Sequence, residues 1–196
     1  MRLRLLGLLG LSALLGACNV AMSDMPLFAD AQRSSTLLLE DGIWTLDKPD
    51  CAADLAKPRK DWPACVDWMI VGGNKALLGS DSKPGDGPED ILIVDGKPPL
   101  LQAKVTTSGS PPTWGYLVFH PQVVSKAGTI TAVEVWAVAC GTQEPGGGAS
   151  PKIHPYPGFN EECRTTSVDA LRAAASKARA ADTETVTWRW VRAEKP

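Results

Sequence analysis

From residue 36 onward, apolar and polar positions alternate in short runs broken by Gly, Pro, Asn and Asp, the pattern of strands and turns. Thr36 to Leu46 reads as a first strand, bulged at Gly42. Pro49 to Ala64 reads as a proline-broken loop bracketed by Cys51 and Cys65. Val66 to Val71 is a strand that Gly72-Gly73-Asn74 turns back into Ala76 to Leu78. Ile91 to Val94 runs into Asp95-Gly96, a strong hairpin signal, and Leu100 to Thr106 returns. Gly115 to Phe119, Thr129 to Cys140 and Thr185 to Arg192 supply further strands rich in β-branched residues. Ser80 to Asp90 and Gly141 to Phe159 are polar, Gly- and Pro-rich, and read as exposed loops.

One segment carries a helical period. Ser167 to Ala181 is alanine-rich, with Thr166 or Ser167 placed to cap its first amides and Asp169 suited to its positive end. Val168, Leu171, Ala175 and Ala178 form a thin apolar stripe for packing on a sheet. The expected fold is therefore mainly β: an antiparallel meander curling into a barrel or sandwich, with one helix near the C-terminus at about 167–181.

The first residues follow different rules. Arg2 and Arg4 precede an uncharged run from Leu3 to Ala17, shorter than the roughly 20 residues of a spanning helix and fitting the apolar region of a signal peptide. It ends in Leu15-Gly16-Ala17-Cys18. This resembles the lipobox of bacterial lipoproteins, in which a peptidase cuts before the Cys and its thiol carries a diacylglycerol. The resemblance covers about 20 residues. It implies a signal peptide over 1–17, lipidation at Cys18, and a membrane-anchored envelope protein facing the periplasm. Asn19 stands where an inner-membrane retention signal would place Asp, which by the same resemblance favours the outer membrane. Residues 18–35 lack a sustained period and read as a lipidated tether, leaving 36–196 as one globular domain of ordinary size.

Without Arg2 and Arg4 the balance becomes 18 basic against 22 acidic side chains, or −4. That balance is too mild to imply a nucleic-acid partner, which calls for a clustered basic face. Four cysteines remain after Cys18: Cys51, Cys65, Cys140 and Cys163. In an oxidising compartment an even number reads as disulfides, here with three possible connectivities. Cys51–Cys65 and Cys140–Cys163 are expected, since each closes a loop within one region. Zinc sites use tighter spacing than any of these pairs offers.

Gly42-Ile43-Trp44 near the start of the strands resembles the G-x-W signature of lipocalin and calycin barrels. The resemblance implies Trp44 at a barrel floor under an arginine from a late strand, Arg189 or Arg192. The alternative is a strand tryptophan in an ordinary core. Glu134 lies in an apolar strand and has two placements. It either faces a barrel interior opposite Arg189, or points outward with Val133, Val135 and Ala137 buried, the default for a charge. Trp62 and Trp114 stand beside loop prolines and are the expected exposed platform for a glycan.

Chemistry is sparse. His120 and His154 are the two histidines, no G-x-S-x-G occurs, and neither histidine has a second at chelating spacing. Asp81, Asp86, Glu89 and Asp90 lack the calcium-loop register, and Gly146-Gly147-Gly148 lacks the Lys-Ser/Thr of a phosphate loop. No cofactor, metal or catalytic residue is assigned. The expected function is a non-enzymatic envelope domain that binds a protein or glycan partner or serves envelope structure. A calycin-like cup for a small apolar ligand is the alternative, with a hydrolase third.

Overall fold

The computed structural model describes residues 19–48, 50–79, 87–106, 111–144, 152–178 and 185–194. The lipobox and Cys18 lie outside them. Eleven strands are assigned among the described residues: β1 (Met22–Ser23), β2 (Gly42–Leu46), β3 (Trp68–Gly72), β4 (Lys75–Gly79), β5 (Glu89–Val94), β6 (Leu100–Val105), β7 (Thr113–Val124), β8 (Ile130–Ala137), β9 (Gly141–Glu144), β10 (Lys152–Pro155) and β11 (Thr185–Arg192). Each strand from β2 to β8 pairs antiparallel with the next. Strand β11 then bridges β8 and β2, closing an eight-stranded barrel. Closure removes the free edges that an open sheet would expose.

The period-2 pattern sorts the core. Trp44, Leu46, Val71, Ile93, Phe119, Val133, Val135, Val186 and Trp188 form one cluster with Met69, Leu78, Leu101, Leu117 and Trp190, and this fills the barrel. Opposite parity on β5–β7 points outward, yet Leu92, Val94, Leu100, Tyr116 and Val118 are buried too. Their cover comes from outside the barrel: the helix, the N-terminal segment, and the Cys140–Cys163 disulfide. Ile43 and Ile70, outward on β2 and β3, cluster with Trp62 of a loop closed by the Cys51–Cys65 disulfide and with Val66 just after it. Both disulfides are the expected pairs.

The helix, α1, spans Val168–Lys177, with the Ser167 hydroxyl accepting from the Ala170 amide at 3.1 Å. Leu171, Ala174 and Ala175 are its buried face. Arg172 docks it on the β5–β6 hairpin, donating to the carbonyls of Asp95 at 2.7 Å and Pro98 at 3.0 Å. Burial lowers the pKa of this guanidinium, and nearby Asp95 opposes the shift.

Three expectations are corrected. Residues 19–35 are not a tether: Val20, Ala21 and Phe28 are buried on the barrel, and β1 pairs with β7. The segment lacks a period because Gln102 holds it in place of a ladder. Its side-chain oxygen accepts from the Leu27 and Phe28 amides at 3.0 Å, and its nitrogen donates to the Phe28 carbonyl at 3.1 Å. The first strand begins at Gly42, and residues 33–41 cross the barrel end instead. The expected loop at 141–159 contains the β9–β10 hairpin, stapled beside Cys140. Residues 80–86, which carry Asp81 and Asp86, and 145–151, which carry the glycine triplet, lie outside the described residues.

Candidate binding clefts

Residues 33–41 form a strap over the barrel end where β2 begins. One side is held by the Arg33–Val94 bridge and the Ser34 amide bonded to the Ile93 carbonyl at 2.8 Å. The other is held by the Leu39–Ile130 bridge and by Thr129, whose hydroxyl donates to the Glu40 carboxylate. The strap is needed because β4 and β5 pair at only two positions, Lys75–Asp90 and Ala76–Glu89. Residues Ile91–Val94 run past the β3–β4 turn, and their backbone needs partners. The strap also turns sharply into β2 at Gly42, whose φ of +137° suits glycine. A Cβ there would sit 2.2 Å from the Arg192 carbonyl oxygen.

Beneath the strap opens a cleft of about 460 Å³. Leu37, Leu39, Ile91 and Ile93 give it an apolar lining, with Arg33, Glu40, Asp41 and Asn74 among its polar residues. Leu38, 46% exposed, also lines it. Ile93 belongs to the cluster that fills the barrel, and Leu37 and Leu39 pack against it, so the floor of the cleft abuts the barrel core.

A second cleft, about 530 Å³, lies outside the barrel beside the start of β3 and the end of β11 and includes Trp62, Trp68, Arg59, Lys60, Arg192 and Glu194. Trp68 lies flat on its cross-strand neighbour Gly79, where a Cβ would sit 1.9 Å from the indole. Arg59 stacks on the Trp68 ring at 3.8 Å and pairs with Glu194 at 3.1 Å.

The tryptophans do not form the expected exposed platform. None of the seven falls in the exposed class. Trp62 is 8% exposed because its Nε1–H reaches back to the carbonyls of Asp54 at 2.9 Å and Lys57 at 3.2 Å. Trp114 is half-buried and lines a cleft of about 320 Å³ with Phe28 and Gln102. Trp44 faces the interior and is fully buried, its Nε1–H donating to the Glu40 carbonyl at 3.0 Å. Neither arginine covers it: Arg189 is exposed and pairs with Asp47 at 2.9 Å, while Arg192 donates to the carbonyls of Leu55 and Lys57. Trp190 is the residue across from Trp44.

Glu134 faces outward, with Val133, Val135 and Ala137 buried. Its carboxylate lies 3.4 Å from His120 Nδ1, and Gln122 Nε2 reaches both, at 2.9 and 2.8 Å. This surface trio holds a base and a carboxylate. Among the described residues no hydroxyl or thiol bonds the ring, which nucleophilic catalysis would need. His154 pairs with Glu144 across the β9–β10 hairpin at 2.9 Å. Among the described residues no cluster of His, Cys, Asp and Glu could hold a metal.

The strap leucines and Arg59 were missed in the sequence. Leu37-Leu38-Leu39 reads as part of a strand, and the sign that it is not is Gly42, which ends the run at a conformation a strand interior does not use. Compared with known proteins, the chain matches no family model, no curated sequence and no solved structure, which leaves the clefts as the ground for a functional reading.

Proposed function

We propose that this chain is an envelope lipoprotein whose barrel takes up a small, largely apolar ligand in the cleft under its strap, without catalysing a reaction. The anchor rests on Leu15-Gly16-Ala17-Cys18. A diacylglycerol at Cys18 supplies two chains, enough for stable attachment where one is marginal. Asn19 already belongs to the fold, its side chain donating to the Gly141 carbonyl at 3.0 Å. An acylated Cys18 would therefore hold the barrel directly on the bilayer, with no slack between them. Residues 19–23 pack where β8 ends and β7 begins, so the strapped end points away from the membrane and into the periplasm. The absence of Asp after Cys18 favours the outer membrane.

The observation that carries the ligand reading is the cleft itself. At about 460 Å³ it falls within the roughly 300–1,000 Å³ usual for small-molecule sites. Its apolar lining joins the barrel core, and Arg33, Glu40 and Asp41 could meet one polar group of the ligand. The test is titration of the acyl-free chain beginning at Asn19 with an environment-sensitive apolar dye such as N-phenylnaphthylamine, beside native mass spectrometry of freshly purified protein. Saturable dye binding is expected, abolished by Ile93→Trp with the circular dichroism unchanged. No binding, or binding indifferent to Ile93→Trp, overturns the ligand reading.

A further inference from the structure

We propose that the second cleft, walled by Trp62 and Trp68, is a site for an oxyanion, a carboxylate or phosphate carried on a small ligand, with Arg59 as its principal contact. This site is separate from the strapped cleft and does not depend on what that cleft binds.

Charge balance is the first argument. Arg59, Lys60 and Arg192 line the cleft against one acid, Glu194. Glu194 is shared: Oε1 lies 3.1 Å from Arg59 Nε and Oε2 lies 3.5 Å from Arg192 Nη2. Arg192 spends its other terminal nitrogen on the Leu55 and Lys57 carbonyls. Arg59 engages only Nε; among the described residues its two Nη groups have no hydrogen-bond partner, and Lys60 has no ion-pair partner. An excess of positive charge thus collects in one concavity of a chain whose net charge is −2.

Geometry is the second. The Arg59 guanidinium carbon lies over the Trp68 ring, 3.8 Å from its centroid, and Nε is tied to Glu194 at 3.1 Å, so two contacts restrain the group. A guanidinium restrained in this way offers parallel N–H groups that match a carboxylate or phosphate, and little rotamer freedom is lost when they bind. The surroundings are held as well. Cys51–Cys65 closes the loop, Pro58 and Pro63 flank the turn Arg59–Asp61, and Trp62 is bonded to two backbone carbonyls. A space of about 530 Å³ leaves room for the carrier of the charge against the indole walls.

The experiment uses the full chain in nonionic detergent. Calorimetric titration is run with glycerol phosphate, inorganic phosphate and glucuronate, with glucose as the uncharged control. Saturable binding of at least one anion is expected, weakened at least tenfold by Arg59→Gln and progressively by salt, while Arg59→Lys retains part of it. A preference for glucuronate assigns the source to an acidic sugar, and a preference for glycerol phosphate assigns it to a phosphate ester. In the unmutated protein, the indole N–H resonances of Trp62 and Trp68 should move on titration, which keeps the test decisive if Arg59→Gln does not fold. Absence of saturable anion binding, binding equal in Arg59→Gln, or resonance shifts confined to other regions would overturn the site.

Discussion

Trp190 lies directly across the β2–β11 ladder from Trp44, and the two indoles donate to successive strap carbonyls, Asp41 and Glu40, each at 3.0 Å. The pair that closes the barrel thus also fastens the strap over its end. Trp44 is fully buried and Trp190 only partly, so the two should differ in cost. Trp44→Ala should destabilise by about 3–5 kcal/mol through the lost side chain and cavity. Trp44→Phe should cost about 1–3 kcal/mol for the unsatisfied buried group, and Trp190→Phe less. Urea unfolding followed by circular dichroism gives all three; equal costs for Trp44→Phe and Trp190→Phe would contradict the burial difference.

The N-terminal segment should behave as core. Phe28 is 3% exposed and meets Tyr116 edge-on at 6.3 Å between centroids. Phe28→Ala is expected to cost about 3–5 kcal/mol. A chain beginning at Asn19 should unfold in one cooperative transition, and one beginning at residue 36 should lose much of that stability. Scanning calorimetry of the two chains checks this, and equal midpoints would restore residues 19–35 to a tether.

Alkaline stability should depend on Tyr116. Burial pushes its phenol pKa up, and the bonds from Ser23 and the Leu27 amide pull the other way without cancelling it. A pKa raised on folding contributes stability that is complete below the unfolded value, about 10, and is lost as pH climbs toward the folded value. Tyr116→Phe should cost about 1 kcal/mol at neutral pH by losing the hydroxyl's bonds. It should also flatten the decline above pH 10. Melting temperatures from pH 7 to 11 for both proteins show it; parallel curves above pH 10 would rule the tyrosine out.

Acylation is tested independently of either cleft. Cys18→Ser should abolish incorporation of radiolabelled palmitate and leave either the uncleaved precursor or a form that no longer partitions with detergent. Unchanged partition of that variant would remove the lipoprotein reading while leaving both binding proposals standing.

Local patterns carried much of the architecture. Asp95-Gly96 marked the β5–β6 hairpin, Ser167 marked the start of α1, and Thr185 to Arg192 matched β11 at both ends, because turn chemistry, capping and period-2 alternation act over a few neighbours. The disulfide pairs were legible for the same reason: each loop closes within one region. Strand parity set Glu134 opposite Val133, Val135 and Ala137, and the default for a charge favoured the outward placement it takes. Other features were settled only in three dimensions. Whether the meander closed depended on β2 meeting β11 across most of the chain, and no local signal encodes that pairing. Once closed, the barrel left apolar side chains on its outer face at β5–β7, and the cheapest cover was an aperiodic segment held by Gln102, which reads as linker in one dimension. Trp62 was drawn inward because a disulfide-bound loop supplied carbonyls for its indole, turning an expected platform into a wall. Periodicity reports which face of a strand is apolar; what comes to cover that face is decided by contacts between residues distant in the chain.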